Sequence, residues 1–225
     1  MVKLIFFCRR RPDVTHEQYA DLLLHGHVPI ALRHHPVMRK YVVNIVESAS
    51  PGEAEIDSIG ELSFDTLDDF RHRLYDSAEG EKIVHRDVAR FMGGAHSYAT
   101  TQHVHKSSHS DPLGRRSAGV KLVCPIRRLP GMSHAELVDH WLLRHVPLAL
   151  KHHTGLSKYV TNVVDQRLSD DGPDWDGIAE LHFASQRDFE DGMFDSPNGE
   201  RIIRADLARF IEHTAAFRVV EYVQK

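Results

Sequence analysis

The sequence repeats itself. Residues 2–46 align without a gap onto residues 120–164, and the match resumes one position out of phase further on. There DSIGELSF (57–64) meets DGIAELHF (176–183), and DSAEGEKIVHRDVARF (76–91) meets DSPNGERIIRADLARF (195–210). Each copy spans about 105 residues, too long for a solenoid unit and long enough for a domain of its own. Residues kept in both copies mark what the fold and its chemistry require. Residues that differ mark specialisation.

With 41% hydrophobic and 27% charged residues, the chain can bury a substantial core. Its net charge is −4 and the two signs are interspersed, which argues against nucleic acid and against a polybasic membrane patch. No apolar run approaches a membrane span and the N-terminus lacks a signal peptide's apolar segment, so a cytoplasmic location is expected. Cys8 and Cys124 sit on equivalent first strands but two positions out of register, as befits buried thiols rather than a disulfide framework. The 18 histidines are scattered through both copies and call for a packing or chemical reason.

KLIFFCRR (3–10) and KLVCPIRR (121–128) read as strands closed by Pro12 and Pro130, with a bulge expected at Pro125, which has no amide to donate. Thr15 with Gln18, and Ser133 with Glu136, form capping boxes that start a helix. Tyr19, Leu22, Leu23 and Ile30, like Leu137, Trp141 and Leu148, give that helix an apolar face. Pro29 and Pro147 fall inside it and predict a kink or break over 25–29 and 143–147. RKYVVNIVE and SKYVTNVVD read as second strands, SIGELSF and GIAELHF as third strands. Helices entered at Ser77 and Ser196 follow, then last strands at 96–104 and 215–223. The order β-α-β-β-α-β, twice, predicts an α+β fold of two tandem ferredoxin-like domains, 1–105 and 119–225, joined by a polar linker at 106–118. Two half-covered sheets in one chain are expected to close on each other as a pseudo-symmetric α/β barrel, with further dimerisation left open.

RRP, the capping box, H-V-P-[IL]-A-L, [RS]-K-Y-V, the G-[IA]-E-L-x-F strand and D-S-x-x-G-E together resemble the EthD family of dimeric α/β barrels, here as a tandem fusion over nearly the whole chain. The resemblance implies a ligand cleft between helices and sheet. It also implies a superfamily whose chemistries run from isomerases, cyclases, dehydratases and decarboxylases to cofactor-free monooxygenases and haem enzymes. Fold alone does not choose among them.

His27 and His145 lie four residues after an apolar face residue and three before another, pointing at the sheet beside the proline. An imidazole there is suited to proton transfer, or else it simply completes the helix by bonding a freed carbonyl. Asp87 and Asp206 fall on the apolar stripe of the second helix, where a buried carboxylate must be paired. Ion pairs with Arg90 and Arg209 are one reading, and orientation of a cleft histidine is the other. These four are the catalytic candidates. Tyr41, Tyr159, Asn44 and Asn162 on the second strands are candidate substrate contacts, as are Trp141, His182 and His96, which occur in one copy only. His34–His35 and His152–His153 near the helix end read as structural, His16 and His134 as surface residues, and Glu61 and Glu180 as lining the barrel interior.

Without H-E-x-x-H or C-x-x-C, no metal site is expected, and no cofactor, although a lone cleft histidine has the chemistry of a haem ligand. The expected activity is a cofactor-independent lyase or isomerase that moves a proton on a small cyclic or aromatic metabolite. The alternatives are a cofactor-free monooxygenase or haem protein, and a non-catalytic ligand-binding accessory protein of a degradation pathway.

Overall fold

The computed structural model describes residues 1–53, 55–108 and 112–225. The first copy runs β1 (Val2–Arg10), α1 (His16–Asp21), a π-helical turn (Leu22–His27), α2 (Val28–His34), β2 (Lys40–Ala49), β3 (Ser58–Phe64), α3 (Leu67–Arg73), α4 (Ala78–Val88) and β4 (Met92–Ser107). The second runs β5 (Val120–Arg128), α5 (His134–His140), a π-helical turn (Trp141–His145), α6 (Val146–His152), β6 (Leu156–Arg167), β7 (Gly177–Phe183), α7 (Gln186–Gly192), α8 (Pro197–Leu207), β8 (Ile211–Thr214) and β9 (Phe217–Val223). Both capping boxes form, and the Ser77 and Ser196 hydroxyls accept from the amides three residues on.

The strands close into a ring, β1-β3-β2-β9-β5-β7-β6-β4 and back to β1, with β8 sharing the β9 position beside β5. This is the expected α+β architecture, two ferredoxin-like units in a closed antiparallel barrel of eight strand positions. The copies are joined by the β2–β9 and β4–β6 ladders, so each unit's edge is paired by the other. Strand alternation then divides the side chains. Ile5, Phe7, Ile59, Tyr98, Val123, Ile178 and Phe217 fill the barrel, while Leu4, Tyr41, Val43 and Phe64 pack outward against one set of helices and Tyr159, Val163 and Phe183 against the other.

The interior also holds charge. Lys3 Nζ reaches Glu61 at 2.5 Å and also pairs with Glu180, while Lys121 Nζ lies 2.6 Å from Glu61, 2.6 Å from Glu221 and 3.2 Å from Glu180. Burial would by itself neutralise these groups, but the mutual pairing wins: both ammoniums are held above their ordinary range and all three carboxylates below theirs.

Several expectations need correcting. The kink or break expected at 25–29 and 143–147 takes the form of an irregular turn, and neither helical run is severed at its proline. The turn ahead of it widens instead, so that Val28 N–H donates to Leu23 O and Val146 N–H to Trp141 O, five residues back, and the ring is accommodated within one continuous helical run. No bulge forms at Pro125, which keeps register opposite Ile178. The disruption falls on its other neighbour: Ala215 N–H donates to Pro125 O, proline offers nothing in return, and the last strand of the second copy parts into β8 and β9 at Ala215–Ala216. In the first copy Phe7 stands at that position and β4 is unbroken. The linker expected at 106–118 is ordered at both ends. Lys106 and Ser107 continue β4 along the edge of β6 that β7 does not pair, while Gly114 N–H and Ser117 N–H donate to Val223 O and Glu221 O. Its residues 109–111 lie outside the described residues.

Candidate active site

Each copy encloses a cleft between its long helical run and the outer face of its sheet, about 240 Å³ in the first copy and about 250 Å³ in the second. The π-turn decides which side chains enter. A regular α-helix places every fourth residue roughly 40° further round, but the wider turn takes up that drift. Leu23, His27, Ala31 and His35 all line the first cleft, and Trp141, His145, Ala149 and His153 the second. His35 and His153 were therefore missed as cleft residues. An uninterrupted α-period puts His34 and His152 on that face, and the recurrent proline was the available signal of a shifted phase.

The four catalytic candidates come together in pairs. His27 Nδ1 lies 3.1 Å from Asp87 Oδ2 and His145 Nδ1 lies 3.0 Å from Asp206 Oδ2, all four side chains being buried. A carboxylate only accepts, so each Nδ1 carries the proton and each Nε2 keeps the lone pair left for a ligand. Burial lowers the affinity of His27 and His145 for a second proton, and the hydrogen bond to aspartate opposes that shift without cancelling it. His35 Nδ1 donates to Leu74 O and His153 Nδ1 to Met193 O, so their Nε2 atoms too are left as acceptors. Burial lowers these two histidines as well.

The second oxygen of each aspartate is used differently. Asp87 Oδ1 accepts from Arg90 at 3.1 Å, whereas Asp206 Oδ1 lies 3.0 Å from His140 Nε2. The ion pair expected between Asp206 and Arg209 is replaced by this histidine, which occupies the position of Leu22 in the first copy.

The remaining candidates divide by strand face. Tyr41 and Tyr159 form part of the sheet wall of their clefts, and burial pushes both phenols up, with a hydrogen bond from Trp141 partly opposing the shift of Tyr159. Asn44 and Asn162 point into the barrel, where they donate to Glu61 and Glu180 at 2.8 and 2.7 Å, and the structure brings neither to a cleft. His182 also faces the barrel, its Nε2 3.7 Å from Glu180, and His96 is buried beside Gly172 and Asp171 at the mouth. Substrate contact through these four would require entry into the packed barrel interior, since strand alternation turns them away from the helices. Cys8 and Cys124 each line a cleft, their thiols pushed up to about 12 by burial. His16 and His134, expected as surface residues, hydrogen-bond the buried Asp57 and Asp176 at 2.8 and 3.4 Å.

The rest of the cleft walls is mainly apolar, with Phe6, Leu62 and Phe70 in the first beside Ser58 and Tyr75, and Leu122, Leu181 and Leu207 in the second beside Thr214 and Arg204. The break at Ala215–Ala216 lets the second cleft reach Ser50 of the first copy, whose Oγ accepts from Ala216 N–H at 2.9 Å. Among the described residues no cluster of three or more His, Cys, Asp or Glu side chains has a metal-binding arrangement. A haem would find a free Nε2 in either cleft, but these cavities fall below the roughly 300–1,000 Å³ of sites for drug-sized ligands. Among the described residues no helix is long and apolar enough to cross a membrane.

Structures similar to this one share its fold at low identity. An anthrone oxidase-like protein superposes with a TM-score of 0.64 at 13% identity, over 99% of this chain and 92% of its own. A monooxygenase candidate from Fusobacterium nucleatum gives 0.66 at 9% identity, over 100% and 94%. Chlorite dismutase from Candidatus Nitrospira defluvii gives 0.52 at 14% identity, over 97% and 90%. No curated protein matches the sequence. The EthD domain model matches twice, over residues 11–95 and 129–214, covering both helix-and-strand cores and both His–Asp pairs. The chain belongs to the EthD domain family, as two tandem copies of that domain.

Proposed function

We propose that the protein is an enzyme that removes a proton from a small, flat, largely apolar substrate bearing hydroxyl groups. The observation that carries this reading is the buried His–Asp pair at an apolar cleft in both copies, with Nε2 presented as a base. A second acceptor nitrogen from His35 or His153 favours a ligand that donates hydrogen bonds, such as a phenol or an enol, over a carboxylate or phosphate. Tyr41 or Tyr159 and the aliphatic walls orient the ring and exclude water, which strengthens the interaction of the imidazolium with its aspartate.

The anion so formed has two fates. In the reading we favour it gives electrons to dioxygen, converting an activated CH₂ and O₂ into a ketone and water, and fold neighbours described as oxidase-like and as a monooxygenase candidate support this choice. Elimination or a double-bond shift, the lyase or isomerase expectation, begins with the same proton. An oxygen electrode with a panel of hydroxylated and enolisable bicyclic compounds separates the two, since only the first consumes dioxygen. Turnover of the compound found should fall about 10²- to 10⁴-fold in His145→Ala, His27→Ala or their combination. Unchanged turnover in the double variant removes the proposal.

A further inference from the structure

The two clefts differ in what stands behind the aspartate. In the first copy Asp87 is shared between His27 and the guanidinium of Arg90, which stays protonated at any working pH. In the second, Asp206 is shared between two imidazoles, His145 at the cleft and His140 behind it. His140 stacks on Phe210 with ring centroids 4.7 Å apart and is held against α8, its side chain only 15% exposed.

We propose that His140 is a positioning residue that makes the second cleft the working one, by giving His145 a carboxylate whose other partner can be neutral. The inference rests on His145 being the base of that cleft. When His145 Nε2 takes a proton while His140 is neutral, the group His145–Asp206–His140 carries no net charge. When His27 does the same, the group His27–Asp87–Arg90 becomes a cation, because Arg90 does not give up its proton. While His140 and His153 are neutral, the second histidine therefore binds the substrate's proton more readily than the first; a charge on either of them lowers that affinity. A further proton on His140 would oppose the one on His145, because a single carboxylate then faces two cations. The charged and titratable groups that face the second set are Asp206 and Arg204 from α8, the latter paired with Glu200, His140, His145 and His153 from the helical run, and Cys124 and Tyr159 from the sheet. Those that face the first are Asp87 and Arg90 from the α4 segment and His35 from the end of α2.

The charge balance also assigns roles. A base that is protonated without building a net charge suits turnover, whereas the first cleft retains the shape to bind a ligand with a weaker base. His140 does not line the cleft, and its effect passes through Asp206.

The test is a nuclear magnetic resonance titration of the intact chain with ¹⁵N-labelled histidine, following the side-chain nitrogens of His27, His140 and His145 from pH 8 to pH 4.5. The expected result is that His145 protonates at higher pH than His27 and shares a two-step curve with His140. In His140→Gln, which keeps an N–H donor for Asp206 but has no proton to take up, His145 should show a single step. His140→Leu, the residue of the first copy, should do the same and serves if the glutamine variant does not fold. A His145 curve that coincides with that of His27 in the wild type, or is unaltered in both variants, overturns the proposal. Because no substrate is needed, this outcome is separable from the functional reading: the shared titration can hold even where His145→Ala leaves turnover unchanged.

Discussion

Trp141 lies directly over Gly177, with the six-membered ring of the indole so close to the glycine Cα that a Cβ there would overlap it. The first copy solves the same space with Leu23 and Ser58 at the equivalent positions. A larger side chain on the helix is thus matched by a smaller one on the strand, and the pair forms part of the wall that distinguishes the second cleft.

Gly177→Ser in the presence of Trp141 is expected to destabilise the protein by about 1–3 kcal/mol through overpacking. Adding Trp141→Leu, which rebuilds the combination of the first copy, should recover part of that loss. Urea unfolding of the wild type, both single variants and the double variant gives a coupling energy, and additivity would show that the two positions do not share the space.

Lys121 neutralises three buried carboxylates and Lys3 two. Lys121→Met takes from Glu61, Glu180 and Glu221 the ammonium that pairs with all three, and should cost about 3–5 kcal/mol. Lys3→Met should cost less. Equal denaturation midpoints for the two variants would show that the extra carboxylate carries no weight.

Stability should fall as the pH drops below neutrality. Burial lowers His27, His35, His145, His153 and His182, so the unfolded chain binds more protons than the folded one once the pH passes below the ordinary imidazole value of about 6.5. Their contribution is complete above that value and is lost between it and the lower folded values. The depressed Glu61, Glu180 and Glu221 act in a separate window, their stabilisation present above about 4.3 and lost only below it. Urea midpoints at pH 8, 5.5 and 4.5 should therefore already decline at the second step. A flat profile to pH 5 would contradict the assigned burial effects.

Asp206→Asn retains the size of the side chain but not its charge, so the amide can no longer offset an imidazolium at His145. Turnover by the second cleft should fall about 10²- to 10⁴-fold with circular dichroism unchanged. Asp87→Asn should affect total turnover less, since its histidine belongs to the cleft with the permanently charged neighbour.

Much of this was legible along the chain. The duplication carried the architecture, because two copies of a β-α-β-β-α-β pattern leave one sheet face each to be covered and nothing else in the chain to cover it. Glu61 and Glu180 could be placed in the barrel by alternation once the helices are taken to cover the opposite Leu/Phe face, and His27, His145, Asp87 and Asp206 were identifiable because polar groups on an apolar helical stripe require partners. Asn44, Asn162, His182 and His96 could not be assigned to a compartment so directly, because a strand offers two faces and only the assembled layers say which is cleft and which is barrel.

What the amino-acid order determined by itself is the set of local elements, the repeat and the residue types that face one another within a helix or a strand. The tertiary structure decided three things beyond that. It turned the proline-bearing helices through a π-turn that brings His35 and His153 into the clefts. It opened the second cleft toward Ser50 by breaking a strand opposite Pro125. It gave Asp206 a histidine, where Asp87 keeps the arginine expected from the sequence. The strand break and the Asp206–His140 pair depend on contacts between segments far apart in the chain, where the loss of one ladder hydrogen bond and the partner of a buried carboxylate are settled by packing, while the π-turn is a local answer to the proline whose consequence for the cleft shows only in the assembled layers.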